Sequence, residues 1–191
     1  MNKKTVLRCI YVISLVVLLM PVGCSPKPAF DKSLLFQSGD LPIGYLPGEV
    51  TSAPQWITND LPEAEEVIYE PIEKNQEFSG AVAIFLYENK SEAENTYEII
   101  LANMGDNRIG SGDGGYSDKI SEIGDKSAIA VVWDPQGHSF GIYGADFSFM
   151  RCNSVVSIRY FDELPQNEVL DNIILYAKKL DDRINPVVCE K

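Results

Sequence analysis

The chain of 191 residues holds one histidine, His138, two tryptophans and four cysteines. It contains no G-x-S-x-G, H-E-x-x-H or P-loop sequence and no C-x-x-C pair. His138 stands beside Ser139 in the turn sequence DPQGHSF, and neighbours on an extended chain point apart, so the two are badly placed to act as base and nucleophile. A zinc site would have to combine Cys152, Cys189 and His138 without any recognised ligand spacing. Positive charge is also scarce: 16 Lys and Arg stand against 28 Asp and Glu, for a formal charge of −12. An acidic surface argues against nucleic acid as a partner and against docking on anionic lipid heads. No apolar run reaches the ~20 residues that span a bilayer.

The N-terminus is more informative. Lys3, Lys4 and Arg8 precede an apolar stretch over 9–20, of the length of a signal-peptide core, and Gly23 then sits directly before Cys24. This arrangement resembles a bacterial lipoprotein signal, with the lipobox written Pro21-Val22-Gly23-Cys24 and Pro21 where Leu is usual. The resemblance implies cleavage before Cys24, lipid on that cysteine, and a place on the extracytoplasmic face of a bacterial membrane. Residues 1–23 are then a signal peptide, 24–34 a tether stiffened by Pro26 and Pro28, and 35–191 a single domain. Loss of the first 23 of 191 residues leaves 168, enough for one real core, and removes only positive charges, taking −12 to −15. Cys9 leaves with the signal and Cys24 is used by the anchor. Cys152 and Cys189 remain, an even pair in an oxidising compartment.

Within the domain, hydrophobic patterning predicts five strands and two helices. Residues 66–72 read as a strand, with Pro71 favouring a sheet edge. Residues 80–88 form a continuous apolar run, as in a strand buried on both faces. Ser91 and Glu94 make a capping box, and Ala93, Tyr97, Ile100, Leu101 and Met104 trace one helical stripe that Gly105 ends. Residues 105–118 hold five glycines and read as one exposed, mobile loop. Strands follow at 128–133, 140–150 and 155–161. The middle one slips phase at Gly144, which suggests a bulge, and the last alternates Val156, Ile158 and Tyr160 against Ser157 and Arg159. Pro165 suits the first position of a final helix, with Lys178, Lys179 and Arg183 in its last turns and Pro186 closing it. The order β-β-α-β-β-β-α, with hairpin-linked strands, gives an α+β fold: an antiparallel sheet of about five strands packed by two amphipathic helices.

Lengths then predict a disulfide. From Cys152 at the hairpin tip the last strand runs about eight residues, roughly 26 Å. The final helix returns over about 18 residues, roughly 27 Å. The two nearly cancel, which brings Cys189 back to Cys152.

Two weaker site candidates stand out. Asp106, Asn107, Asp113 and Asp118 are oxygen ligands on a supple chain, as calcium prefers, yet their spacing matches no calcium loop. Trp133 ends a buried strand and reads as core, whereas Trp56 lies in a Pro-rich loop where it either packs onto the sheet or lines a ligand groove. No cofactor is implied.

Four stretches together carry a family resemblance: GDLPIGYLP (39–47), AVAIFLYENKSEAENTYEII (81–100), ISEIGDKSAI (120–129) and FSFMRCNSVVSIRY (147–160). They are similar to the sensor-type domains found outside the membrane on some bacterial kinases and on free lipoproteins, and to the wider PsbP/Mog1-like α+β sandwich. The hairpin departs from the pattern in carrying Cys152 where a basic residue or glycine is frequent. The resemblance implies a non-enzymatic binding or sensing role, or an accessory role in an envelope assembly, toward a small-molecule or protein partner, and it carries over no site residue. A secreted hydrolase, or a calcium module built on the Gly/Asp loop, are the alternative classes.

Overall fold

A seven-stranded antiparallel sheet carries one long helix on each face in the computed structural model, which describes residues 32–37, 39–106, 116–117, 122–133 and 143–189. The strands are β1 (Tyr45–Pro47), β2 (Glu66–Lys74), β3 (Glu77–Leu86), β4 (Tyr116–Ser117), β5 (Lys126–Trp133), β6 (Tyr143–Arg151) and β7 (Ser154–Asp162). The helices are α1 (Gln55–Thr58), α2 (Lys90–Asp106) and α3 (Gln166–Val188), after a 3-10 turn at Lys32–Leu34. Strand order across the sheet is β1-β2-β3-β7-β6-β5-β4. The five long strands and two long helices follow the expected order. The additions are β1 and β4, edge strands of three and two residues, too short for a hydrophobic period to register.

Strand alternation separates two faces. On one, Val82 and Ile84 of β3 register with Ile158 and Val156 of β7, and all four are buried. Helix α3 covers this face: the ring of Tyr176 meets that of Tyr160 edge-on at 5.4 Å, and Val169, Ile173, Ala177, Leu180 and Ile184 are buried along its stripe. On the other face Phe85, Tyr87, Val155 and Met150 form a core with Ala93 and Tyr97 of α2.

Several local expectations are corrected. Helix α2 starts at Lys90, and its cap is Asn89, whose Oδ1 accepts the Glu92 amide at 3.0 Å, rather than Ser91. It runs through Gly105 to Asp106, and Tyr116–Ser117 pair with β5, so the segment read as one loop begins in a helix and ends in a strand. Pro165 caps α3 from outside instead of opening it, and Pro186 lies inside the helix. One missing N–H so near the end removes a single bond, and the Cys189 amide still reaches the Asn185 carbonyl at 3.1 Å. Because α3 extends to Val188, Lys179 and Arg183 do not sit in its last turn. They hold Asp40 instead: Arg183 Nη2 lies 2.6 Å from Oδ2, and Lys179 Nζ donates to the Asp40 carbonyl at 2.8 Å.

No bulge occurs at Gly144, since β6 pairs without a break from Tyr143 to Arg151. The phase is lost because both faces of β6 are covered, leaving residues 144–150 all buried. The irregularity lies in β3, where Ile72 pairs with Gly80 and Glu73 with Phe78, leaving Ser79 extra. A Cβ on Gly80 would sit 2.2 Å from the Arg159 carbonyl, so only glycine lets β3 and β7 approach there. Strand β2 is not the edge strand that Pro71 suggested. Its outer neighbour is only three residues long, and the Pro71 carbonyl there accepts the Gly48 amide at 2.8 Å.

Cys152 and Cys189 are joined, with Cα atoms 5.7 Å apart. Cys152 adopts a left-handed φ of 52° in the two-residue turn between β6 and β7, the conformation that makes glycine frequent at such tips. Arg151 beside it grips Asp181 of α3 through Nε at 2.7 Å and through Nη2, and the Cys152 amide donates to Asp125 at 3.2 Å.

Candidate functional site

The two faces of β3 and β7 carry side chains of very different size. Under α3 the residues are Val82, Ile84, Val156, Ile158 and Tyr160. Opposite them the middle of the face carries Ala81, Ala83 and Ser157, with Arg159 across from Ala81 and the larger Phe85 and Val155 at the other end. Helix α2 fills the part of that face near Val155 and Met150. The remainder is a cleft of about 310 Å³. Ile100, Asn103 and Met104 of α2 form one wall; Ile57, Asn59 and Leu61, in and just after α1, form the other. Tyr69, Phe78 and Phe85 complete the apolar lining. Small floor residues keep the sheet surface low, and α1 props the far wall away from α2.

One ion pair lies on this floor. Asp146 of β6 and Arg159 of β7 face each other in register. Arg159 Nε donates to Oδ1 and Nη2 to Oδ2, each at 2.6 Å, a bidentate contact. The Asp146 side chain is 7% exposed and that of Arg159 37%. The bond to Asp146 raises the already high pKa of Arg159, and burial raises that of the adjoining Tyr69 phenol. Ser157 Oγ lies 3.2 Å from Ser148 Oγ.

A second polar group lies on the α3 face near β1. Asp162, 5% exposed, accepts from Tyr160 Oη at 2.6 Å, from Lys74 Nζ at 3.1 Å and from the Glu163 amide at 2.7 Å. Burial works to raise the Asp162 carboxyl, and these donors outweigh it, leaving it below the usual carboxylate range. Lys74 also lies over the Tyr45 ring at 5.0 Å. This group fastens β1 and β2 to β7 and uses its acceptors internally.

Of the residues singled out from the sequence, Trp56 belongs to α1, whose Ile57 borders the cleft; its side chain is outside the described residues. Asp106 ends α2, while Asn107, Asp113, Asp118 and His138 lie outside the described residues, as do Cys24 and the side chain of Trp133. Among the described residues no group of His, Cys, Asp and Glu is arranged to hold a metal ion, and no helix is long and apolar enough to cross a membrane. Sequence reasoning passed over Asp146 and Arg159 as a pair. The signal was available: a hairpin turning at Cys152 and Asn153 places them opposite each other, two charges inside otherwise apolar strands.

No protein-family model and no curated protein sequence matches the chain. Among solved structures it is similar to the extracellular domain of PknH from Mycobacterium tuberculosis, with a TM-score of 0.53 and 10% identity, over 82% of this chain and 98% of that one. At that identity the likeness is one of fold, and it agrees with the α+β arrangement expected from the sequence.

Proposed function

We propose that this chain is a lipid-anchored, extracytoplasmic binding domain of the sensor type, non-enzymatic, which holds a small ligand in the cleft between α1 and α2. The observation that carries the reading is the floor of that cleft: alanines and a serine where the other face has Val, Ile and Tyr, with one bidentate ion pair set among apolar walls. Concave, mostly apolar sites with few fixed polar groups are the usual form of small-molecule pockets. The charged groups there are tied to each other, which suits holding a ligand more than acid–base turnover. Placement outside the membrane is supported by the n-region, short apolar core and Gly23-Cys24 of the N-terminus, by the disulfide, and by the fold shared with a domain that is extracellular in PknH.

Two measurements test it. Intact mass of the chain from the membrane fraction gives a species that begins at lipid-bearing Cys24; a mature form starting elsewhere without lipid mass removes the anchor from the reading. Organic extraction of the purified wild type and of Ala83→Phe, compared by mass spectrometry, yields a small molecule from the first only. Identical extracts would refute the cleft as its site.

A further inference from the structure

Arg159 is only partly used by its partner. A guanidinium carries five N–H groups in one plane, with a side edge through Nε and an end edge through the two Nη atoms. Asp146 occupies the side edge through Nε and Nη2. The end edge, Nη1 with the second N–H of Nη2, makes no hydrogen bond among the described residues, and the guanidinium lines the cleft at 37% exposure. The cleft therefore offers two parallel N–H donors from a unit whose charge Asp146 has already cancelled. Asn59 and Asn103 add uncharged amides on the two walls and Tyr69 an uncharged phenol, and the rest of the lining outside the ion pair is apolar or small.

That chemistry discriminates among charge classes. An anion would find the free edge but also the Asp146 carboxylate across the same guanidinium, in a chain of formal charge −12. A cation would find Asp146 already paired with Arg159 on both oxygens and only 7% exposed. An uncharged carbonyl can take both donors, costs less to desolvate than either ion, and leaves the ion pair intact. The cleft volume of about 310 Å³ is at the small end for ligand sites, so the molecule is small. We propose that the ligand is an uncharged amphiphile: one amide or ester carbonyl on the end edge of Arg159, and an apolar body between Ile57 and Leu61 on one side and Ile100 and Met104 on the other. This rests on the cleft being the binding site.

A matched series separates the two claims: octanamide, octanoate and octylamine, titrated against the full chain at pH 7 with binding followed by calorimetry or protein-observed NMR. Octanamide is expected to bind at least tenfold more tightly than either ion, and Ala83→Phe to abolish binding of all three. Arg159→Lys keeps the charge but lacks a planar two-donor edge, and should cost octanamide about tenfold. Asp146→Asn leaves the guanidinium charge uncancelled and should turn the preference toward octanoate. If octanoate binds the wild type as well as octanamide does, and Ala83→Phe still abolishes both, the ligand class is wrong and the cleft stands. If none of the three binds, or Ala83→Phe changes nothing, the cleft reading itself falls.

Discussion

The carboxylate of Glu70 accepts the backbone amide of Phe36 at 3.1 Å in a site where Glu70 is only 3% exposed. Glu70 projects from β2 on the α3 face, and the segment it holds is the first part of the domain after the 3-10 turn. Leu34, Leu35 and Phe36 are buried there, and Arg183 adds a bond to the Leu35 carbonyl at 2.7 Å. If Cys24 is the anchor, this strap transmits any pull from the membrane.

Burial pushes the Glu70 carboxyl from 4.5 up to about 7, against the Phe36 amide and the Arg183 charge, which favour ionisation. The folded state therefore keeps a proton that the unfolded chain has released. Stability attributable to Glu70 falls as pH rises from about 4.5 to about 7 and is level above, a change on the order of 3 kcal/mol. Glu70→Gln should flatten that slope and stabilise the protein at pH 7.5. The difference in urea midpoints between wild type and variant, taken from pH 5 to 8, isolates this group from others that titrate in the range. A difference independent of pH would contradict the assignment.

The disulfide closes a separation of 37 residues, worth about 4 kcal/mol by chain entropy. The joint variant Cys152→Ser with Cys189→Ser should lower Tm by roughly 10 °C. Loss should begin at the end of α3, where Pro186 already weakens the final turn. Hydrogen exchange resolved by residue checks this: the earliest protection lost should be over 182–189, and loss starting in β2 or β3 would speak against it.

What the sequence makes legible is what depends on one element at a time or on element lengths. The unbroken apolar run of β3 and the alternation of Val156, Ile158 and Tyr160 follow from strand geometry alone. The Cys152–Cys189 contact follows because a strand and a helix of matched length run in opposite senses. The cap at Asn89 was missed because Ser91 and Glu94 offered a competing box one turn fragment later, and local chemistry cannot rank two adequate caps. A strand covered on both faces, as β6 is, loses its period and mimics a bulge, while the real one at Ser79 lies in the β2–β3 ladder, where pairing between strands and not the pattern of one strand sets it. The cleft was not legible, since it exists only because α2 covers part of a face and α1 stands off the rest.

Gly80 supplies a sharp contrast of its own. An added Cβ would meet the Arg159 backbone oxygen at 2.2 Å, and neither strand can yield without disturbing its ladder. Gly80→Ala should destabilise by about 3 kcal/mol or more. Gly39→Ala has nothing within 4 Å of the new atom and should change stability by less than about 0.5 kcal/mol. Denaturant midpoints of the two variants side by side test this, and equal effects would mean that β3 and β7 are not so close.

Asp146 and Arg159 should not be equivalent in stability, because only one of them can fall back on water. Arg159→Ala strands a carboxylate that is 7% exposed and has no other cation paired with it among the described residues. Breaking a wholly buried pair this way costs 3–5 kcal/mol; with Arg159 itself 37% exposed the pair is partly screened, and about 2 kcal/mol is expected. Asp146→Ala leaves a guanidinium that can turn toward solvent in the open cleft, at about 1 kcal/mol. Urea unfolding of both variants at pH 7 measures this ranking. Arg159→Ala should be the less stable of the two, because the group it leaves behind is the more deeply buried one. The opposite ranking at pH 7 would mean that Asp146 is open to water and that the floor of the cleft is not the dry, paired surface on which its proposed ligand chemistry depends.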